Sequence, residues 1–598
     1  MKKSYNTVII GSGCAGYNAA ARLYDLGVTD ICVLTEGRLS GTSRNTGSDK
    51  QTYYKLSLCG AEGDSVRKMA KSLHAGGGVM GEQARCEAAY SVRCFMHLVE
   101  LGVPFPTNGY GEYAGYKTDH DPRERATSAG PLTSKYMTEA LEREVEARGI
   151  EILDGYLAIR VLTDGDGVTG VACVSVSDGE YKVLGCQSVI LATGGPAGIY
   201  GQTVYPESQH GGTGLAIGAG AMLSNMEQWQ YGLAATDFRW NVSGTYQQVL
   251  PRYISVDAEG CEREFLYDAL GEKANDLVFL KGYKWPFDTR KLDGSSQVDL
   301  LVFAETAKGR RVYMDFTKNP KGLSADLSSL CHEAYRYLEN CEALFGTPIE
   351  RLEKMNPAAI ALFRAHGIDL SMEPLRIAVC AQHCNGGVAV DENWQSTVCG
   401  LYAAGEAAGT FGVYRPGGSA LNATQVGSLR AAEHIAKSKD KKSGAPLFTP
   451  PRIQYGKSNL ATLEKKLRDG MSRYAAFDRS TEKMEALFSE VSAVCDGFFD
   501  IVRIEGTSER AALFQLYDAY LTARGTLSAM LCAAKEYGTH GAALVDRLPP
   551  RVGKAPRKTR TLTSGKHSYT KAVSEIPEPP LWFETLLAQK LQEKENRI

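Results

Sequence analysis

A run of small residues near the start of the chain has the composition and spacing to hold a phosphate-bearing ligand. Gly11-Ser12-Gly13-Cys14-Ala15-Gly16 follows the apolar segment 7–10 and precedes a helical pattern over 17–26. The first glycine permits a tight turn, the second lets the backbone approach a pyrophosphate, and the third lets the helix pack on the strand. A second apolar segment ends at Glu36, about 20 residues beyond the glycines, where a carboxylate can hold a ribose 2′-hydroxyl. These residues together predict a dinucleotide-binding strand, turn and helix.

Small residues suited to the same ligand recur far along the chain. The apolar segment 189–192 runs into Thr193-Gly194-Gly195, and His-Gly-Gly-Thr-Gly at 210–214 opens a small-residue helix. A buried strand that ends in Gly405-Glu406 and a helix opened by 417–421 repeat the pattern. Backbone N–H groups at such turns suit phosphate oxygens. The predicted cofactor-binding residues are Gly11, Gly13, Cys14, Ala15, Gly16, Glu36, Gly37, Thr42, Ser43, Thr46, Gly47, Leu157, Ala192, Thr193, Gly194, Thr213, Glu406, Ser419, Ala420 and Leu421.

The overall composition argues against several classes of function. The 598 residues carry a formal net charge of −2 with a sequence pI of about 6.6, which gives no field that favours nucleic acid or an anionic membrane. No apolar stretch reaches about 18 residues, and the first strand begins close to Met1, so we expect a cytoplasmic protein without membrane insertion. The 15 cysteines form no C-x-x-C pair, so we expect reduced core thiols and no metal, iron–sulfur or haem site.

The chain is too long for one hydrophobic core, and its composition changes along its length. From 240 to 376 it becomes aromatic, charged and irregular, which indicates a capping domain inserted between two parts of the cofactor domain, 1–239 and 377–440. A polar linker at 437–444 leads to helical periodicity over 450–550, and the basic tail, 551–598, is expected to be a solvated surface. The predicted fold class is α/β: a Rossmann-like domain split by an inserted α+β capping domain and followed by a helical domain.

Taken in order, these motifs resemble the succinate dehydrogenase/fumarate reductase flavoprotein family, which includes L-aspartate oxidase and the flavin subunit of adenylylsulfate reductase. The likeness extends to the Pro-rich, Trp-Phe-Glu ending at 577–584. It implies FAD as the cofactor, with the adenosine in the N-terminal part and the isoalloxazine at the interface with the cap. Covalent members attach the flavin through a histidine in Ser-His-Thr. Here the stretch is Thr42-Ser43-Arg44-Asn45-Thr46-Gly47-Ser48, so we expect noncovalent FAD.

The substrate motifs of that family match far less well. Members that act on C4 dicarboxylates read Gln-Phe-His-Pro-Thr-Gly, whereas this chain reads Gln230-Tyr231-Gly232-Leu233, so glycine replaces the substrate-binding histidine. The family's Thr-Glu-Gly-x-Arg segment corresponds to 246–254, where the Thr-Glu pair is absent. The proton-donating arginine of the cap is also missing around Glu305. The sequence therefore predicts that C4 dicarboxylates are poor substrates.

Two substrate features are kept in altered form. Arg415, in Tyr-Arg-Pro-Gly-Gly, corresponds to the family arginine that binds a substrate carboxylate and stabilises enolate-like charge. His383 lies before Cys-Asn-Gly-Gly, one position from the family histidine, and is expected to face the flavin or to hydrogen-bond it. Hydride transfer to an activated C=C bond builds negative charge on the activating carbonyl, which a fixed guanidinium in a desolvated site can stabilise. The predicted catalytic residues are Arg415, His383 and, chosen by region alone, Arg252, Tyr246 and Tyr231.

The resemblance predicts an FAD-dependent oxidoreductase that reduces or dehydrogenates an activated carbon–carbon bond of a small molecule other than a simple C4 dicarboxylate. An iron–sulfur or other electron-transfer subunit is the expected protein partner. Three alternatives stay open at this point. They are a flavin subunit like that of adenylylsulfate reductase, a fumarate reductase or L-aspartate oxidase with an altered site, and an electron-transferring flavoprotein without its own substrate.

Overall fold

The computed structural model describes residues 4–60, 63–438, 446–453, 456–550, 557–578 and 582–595. Most of the predicted linker at 437–444, the basic residues Arg551 and Lys554, and the prolines and leucine at 579–581 lie outside the described residues. In the part of the chain that is described, no helix is long and apolar enough to cross a membrane.

A parallel five-stranded sheet forms the centre of the cofactor domain. Its order is Leu401–Ala403, Ser188–Leu191, Thr7–Ile10, Ile31–Thr35 and Glu151–Asp154. The three central strands are almost entirely buried apolar runs, as expected for a parallel sheet covered on both faces. Helix Cys14–Asp25 packs against helices Thr133–Ala147 and Ser419–Lys437, so the two parts of the predicted cofactor domain form one unit. The further helices of this part are Thr42–Asn45, Val66–Ala75, Gly81–Glu100 and Thr213–Gly218.

Three smaller sheets complete this half of the molecule. An antiparallel sheet of Tyr156–Asp164, Gly167–Ser175 and Tyr181–Gly185 follows the parallel sheet in the chain, and Thr52–Tyr54 pairs with Ala126–Ser128. A four-stranded sheet joins Gly387–Val388, Leu223–Ser224, Thr559–Thr563 and Ser568–Ala572.

The tail was expected to be solvated, and the structure corrects this for part of it. Residues 559–563 and 568–572 form a hairpin in the four-stranded sheet, and Leu562 is buried. Arg557 makes an ion pair at 2.6 Å with the buried carboxylate of Glu227. This basic residue therefore balances a buried acid instead of facing water, which charge composition alone does not show. The last described helix, Phe583–Glu595, begins with exposed side chains.

The capping region is built on a six-stranded antiparallel sheet. Its order is Trp240–Asn241, Trp229–Ala235, Leu375–Cys384, Arg311–Asp315, Arg252–Val256 and Glu262–Arg263. Strands Trp229–Ala235 and Leu375–Cys384 belong wholly or mostly to segments assigned by sequence to the cofactor domain, so the sheet crosses both predicted boundaries. This continuity brings the ends of the two flavin segments to the cap. The cap helices are Thr245–Gln248, Phe265–Leu270, Lys273–Lys281, Ser296–Ala307, His332–Asn340, Pro348–Met355 and Pro357–Ala365.

Three helices, Leu460–Tyr474, Thr481–Ile501 and Arg510–Tyr537, form the helical region predicted from periodicity. The first buries Leu463, Leu467 and Met471 at the expected spacing of one helical face. The longest, Arg510–Tyr537, packs against Thr213–Gly218 of the cofactor domain. The helical region therefore also contributes side chains to the cofactor cavity.

Candidate active site

The predicted glycine turn lies at the end of the first strand and lines a cavity of about 420 Å³. Gly11 has φ +112°, and a Cβ there would collide with the carbonyl oxygen of Ala192 on the neighbouring strand. A Cβ on Gly16 would collide with the carbonyl of Gly11, so the helix lies directly against the turn. These close approaches leave a backbone-lined cradle, which fits the pyrophosphate of a dinucleotide.

Glu36 lines the same cavity and comes just after the second strand. Its carboxylate accepts a hydrogen bond of 2.6 Å from Gln515 Nε2 and lies 3.3 Å from His210 Nδ1. Asp518, on the same helix as Gln515, accepts from the Leu215 backbone N–H at 3.1 Å. Burial raises the pKa of Asp518 to about 7. The helical region thus closes one side of the cavity beside the position predicted for a ribose.

A second cavity, of about 630 Å³, continues from the first toward the cap. The two share lining residues at the glycine turn and at 42–43, so together they form one elongated site between the cofactor domain and the cap. Of the predicted cofactor residues, the first cavity is lined by Gly11, Gly13, Glu36, Gly37, Thr42, Ser43, Leu157, Ala192, Thr193 and Gly194. The second adds Cys14, Ala15, Thr46, Gly47, Glu406, Ala420 and Leu421.

Three predicted cofactor residues line neither cavity. Gly16 acts through helix packing, as described above. Thr213 and Ser419 are buried at the first positions of helices Thr213–Gly218 and Ser419–Lys437. They lie in the elements that border the site, but they do not themselves line its two cavities.

Arg415 lies in the second cavity, held by a neutral partner. Its Nε and Nη2 donate to Gln230 Oε1 at 3.2 and 2.6 Å. Among the described residues, the hydrogen bonds of this guanidinium go to that amide and not to a carboxylate. Desolvation lowers the pKa of Arg415 to about 10, against the attraction of Glu406, Tyr205 and Glu87, so it remains a cation at neutral pH.

His383 lines the same cavity as a neutral imidazole. Its Nδ1 lies 2.9 Å from Asn385 Oδ1, and its Nε2 lies 3.9 Å from Glu406 Oε1. Burial, and then the charge of Arg415, hold the pKa of His383 well below its usual range. Because Asn385 Oδ1 can only accept a hydrogen bond, the proton of the neutral ring is on Nδ1, and Nε2 is left as an acceptor.

Glu406 is a partly buried acid beside this histidine. It accepts hydrogen bonds from the Tyr205 hydroxyl and, at 2.9 Å, from the Cys384 backbone N–H. Burial raises the pKa of Glu406 to about 7. A proton can therefore be held on this carboxyl near neutral pH. Among the described residues, no group of three or more His, Cys, Asp or Glu side chains could hold a metal ion.

Comparison with known proteins identifies the ligand of the elongated site. Residues 6–421 match the family described as "FAD binding domain", FAD_binding_2. The chain belongs to this family. Its cofactor is FAD, which the backbone cradle and the two joined cavities fit.

The relatives of this FAD_binding_2 protein are oxidoreductases. It is 28% identical over 477 residues to L-aspartate oxidase from Streptomyces coelicolor, covering 77% of this chain and 74% of the relative. It is 28% identical over 555 residues to one subunit of the fumarate reductase (CoM/CoB) from Methanothermobacter marburgensis, covering 90% and 93%. The protein is therefore an FAD-dependent oxidoreductase.

Solved structures confirm the predicted fold. A quinol fumarate reductase variant from E. coli superimposes with a TM-score of 0.72 at 18% identity, over 97% of this chain and 98% of that chain. Adenylylsulfate reductase from Archaeoglobus fulgidus gives a TM-score of 0.61 at 16% identity, over 97% of each chain. The likeness to the succinate dehydrogenase/fumarate reductase flavoproteins, inferred from motifs, is thus confirmed.

Three predicted catalytic residues of this flavoenzyme are not brought to its cavity. Tyr231 points into the core, where its hydroxyl lies 3.0 Å from that of Tyr200. Tyr246 is fully buried in the cap, with its hydroxyl 3.5 Å from the Ala359 carbonyl. Arg252 makes ion pairs at 2.8 Å with Asp315 and Glu262 on neighbouring cap strands. They were chosen by their region of the chain, and the local direction of the backbone turns each of these side chains elsewhere.

Several residues that line the cavity were not among the predicted site residues, and three of them lie near Arg415 or Gly232. Gln230 holds Arg415, and its signal was available as the first letter of the family's Gln-Phe-His motif. Gln382 and Trp285 lie beside Gly232, where an added Cβ would come within 2.9 Å of Gln382 Nε2 and 3.0 Å of Trp285 Cε2. Trp285 belongs to no recognisable sequence motif. Only the folded cap places its side chain over Gly232, more than 50 positions earlier in the chain.

Proposed function

We propose that this FAD-dependent oxidoreductase transfers a hydride to or from an activated carbon–carbon bond of a small molecule whose activating carbonyl or carboxylate is bound by Arg415. The observation that carries the proposal is the guanidinium of Arg415, which lies in the cavity and, among the described residues, hydrogen-bonds a neutral amide and not a carboxylate. A desolvated cation that no direct ion pair neutralises is stabilised when an anionic oxygen joins it.

The roles of the side chains follow from their contacts. FAD, when bound, supplies the two-electron hydride chemistry. Gln230 fixes the plane of the Arg415 guanidinium, and that guanidinium binds the substrate oxygen on which negative charge grows. Neutral His383 adds no second charge, and its Nε2 is an acceptor for a substrate or cofactor N–H or O–H. Glu406 holds a proton near neutral pH beside them.

The partners that family members use for a second carboxylate are absent from this chain. Position 232 has no side chain, and Trp285 and Gln382 occupy the space beside it. The backbone N–H and hydroxyl of Thr245 already donate to Asp49, at 2.9 and 3.3 Å, and the Asp49 carboxylate lies where a side chain on Gly244 would be. We therefore propose that simple C4 dicarboxylates are not the natural substrates.

The proposal is tested by anaerobic reduction of the flavin followed by reoxidation with a panel of enoates and enones. We expect mono-activated members to reoxidise the flavin at least about 10³-fold faster than fumarate, because an unpaired buried carboxylate costs several kcal/mol. Fumarate turnover at about 10 s⁻¹, a typical enzymatic rate, contradicts the choice of substrate class. Failure of every activated alkene contradicts the reaction class.

An electron-transferring flavoprotein without its own substrate is the less favoured function. Against it stands the guanidinium of Arg415, which Gln230 holds in the second cavity and for which such a protein has no need. We further propose that electrons come from a separate protein partner, which is supported by the Methanothermobacter relative, itself named as one subunit of its enzyme. Flavin reduction by a low-potential dye but not by NADH or NADPH is the expected result, and rapid direct reduction by either nucleotide contradicts it.

A further inference from the structure

Trp285 forms part of the wall of the cavity that contains Arg415. Its indole N–H donates to Gln382 Oε1 at 2.7 Å, and its backbone N–H donates to Asp119 Oδ2 at 2.9 Å. Its carbonyl accepts from Lys281, whose ammonium also lies 5.5 Å from the indole centroid. Lys281 is itself neutralised by Asp299 in a fully buried pair. The indole is therefore fixed from several sides.

Trp285 and Arg415 both contact strand Trp229–Ala235. Gln230 holds Arg415, and Gly232, two residues along the same strand, is the position covered by Trp285. Two residues of a strand span roughly 6.5 Å. A substrate that binds Arg415 can therefore extend along this strand toward the indole.

Three tyrosines also line this cavity, and they offer aromatic surface to a ligand but few free hydroxyl donors. Tyr116, Tyr283 and Tyr337 line the cavity, and their hydroxyls are engaged with Thr52, Glu333 and Gln248. Aromatic rings pair favourably with other rings in edge-to-face or offset-stacked arrangements.

The cations near the indole already have counter-charges. Lys281 is paired with Asp299, and Lys291 lies 3.5 Å from Asp119. Lys50 and Lys117 also line the cavity, but they are exposed. This end of the cavity therefore suits a flat, uncharged group better than a second anion.

We propose that Trp285, with the Gln382 amide, is a second recognition element of the substrate cavity and selects an aromatic substituent on the far side of the carbon–carbon bond from the Arg415-bound oxygen. The substrate class is then a 3-aryl or 3-heteroaryl enoate, or its saturated counterpart. This inference rests on the proposed function and names the substrate class of that same site.

The test compares 3-phenylacrylate with but-2-enoate as oxidants of the reduced holoenzyme. It also compares 3-phenylpropanoate with butanoate as ligands of the oxidised holoenzyme. Binding of these two acids is measured through the change that they cause in the flavin absorbance. We expect the phenyl member to be preferred in both pairs. Trp285→Ala should reduce that preference by about 10-fold or more, and Trp285→Phe should keep most of it. Gly232→Ala should act in the same direction as Trp285→Ala, because the added Cβ displaces the indole without removing it.

The control is Trp582→Ala, which removes an exposed tryptophan outside both cavities and should change neither preference. Flavin content measured on each preparation shows whether the variants are folded. The inference is overturned if Trp285→Ala changes both members of a pair equally in a flavin-replete enzyme, or if a dicarboxylate binds better than the phenyl acid. A third outcome separates the two proposals. If no enoate reoxidises the flavin but the binding preference for the phenyl acid depends on Trp285, the proposed reaction is wrong and the proposed role of Trp285 in substrate recognition is supported.

Discussion

The two cavities of this flavoenzyme are built in different ways. The first includes a glycine turn where the backbone itself forms the wall and where added side chains would collide with neighbouring carbonyls. The second includes, at its substrate end, the long side chains of Arg415, Gln230, Gln382 and Trp285, which come from separate segments of the chain. The cofactor end follows the family pattern closely, and the substrate end departs from it. Backbone cradles are specified by a few adjacent small residues, whereas substrate recognition can change one side chain at a time without disturbing them.

The sharpest test of this contrast is Arg415→Ala. We expect turnover to fall by about 10² to 10⁴, the loss seen when a donor to a developing oxyanion is removed, while FAD content stays unchanged. Arg415→Lys should recover little, because an ammonium cannot reproduce the planar two-point contact. Turnover and flavin occupancy are measured on the same preparation.

Arg252→Ala is the matched control for this variant. Arg252 is held by Asp315 and Glu262 on the cap strands, so its loss should leave turnover per flavin unchanged. Full activity in a flavin-replete Arg415→Ala enzyme would remove Arg415 from the mechanism and leave His383 as the candidate.

A substitution at the cofactor end should have the opposite effect, which is loss of FAD with normal turnover per bound flavin. Gly11→Ala forces φ +112° on a residue with a Cβ and drives that Cβ into the Ala192 carbonyl. FAD affinity should fall by about tenfold or more, with normal turnover in the molecules that keep flavin. Gly27→Ala is the control, because Gly27 has φ +91° but nothing within 4 Å of its added Cβ. Equal flavin loss in both variants would show general unfolding instead of a local cradle.

The attachment of the flavin provides a third test, because we expect FAD to be bound without a covalent link. The chain has Arg44 where a linking histidine is expected, and Arg44 is engaged with Glu142. Acid precipitation should release all the yellow colour into the supernatant. Flavin fluorescence that stays with the denatured protein band on a gel would refute noncovalent binding.

The smallest expected effect is on the pH dependence of stability and concerns Glu87, a buried acid. Burial raises the pKa of Glu87 to about 8, although Thr410 donates to it at 3.2 Å. An acid whose folded pKa is raised binds more protons when folded, so its contribution to stability is full below about pH 4.5 and is lost as the pH rises to about 8. The apparent melting temperature of the holoenzyme should decline across this window.

Glu87→Gln should make that decline shallower by a few degrees, because the amide does not ionise. Glu373→Gln, at an exposed position, is the control and should follow the unmodified protein. An identical pH dependence in the Glu87→Gln and unmodified proteins would mean that Glu87 does not titrate in this range.

The sequence alone was sufficient for the fold class, the FAD cofactor and the oxidoreductase class, all of which are confirmed. The order of strand, glycines, helix and acid is local, and hydrophobic periodicity within single segments predicted the parallel sheet and the C-terminal helical region. Arg415 and His383 were also recognisable, because each lies close to a glycine pair in a family motif, and the structure brings both to one cavity. Their catalytic roles stay predictions.

Only the tertiary structure decided which other side chains line the cavity together with Arg415 and His383. Tyr231, Tyr246 and Arg252 are directed into the core or into ion pairs, whereas Gln230, Gln382 and Trp285 line the cavity. The sheet that arranges them pairs strand Trp229–Ala235 with strand Leu375–Cys384, about 150 positions later in the chain. The direction of a side chain at such a site depends on register, bulges and the packing of the cap, and none of these is encoded by residues close together in the sequence.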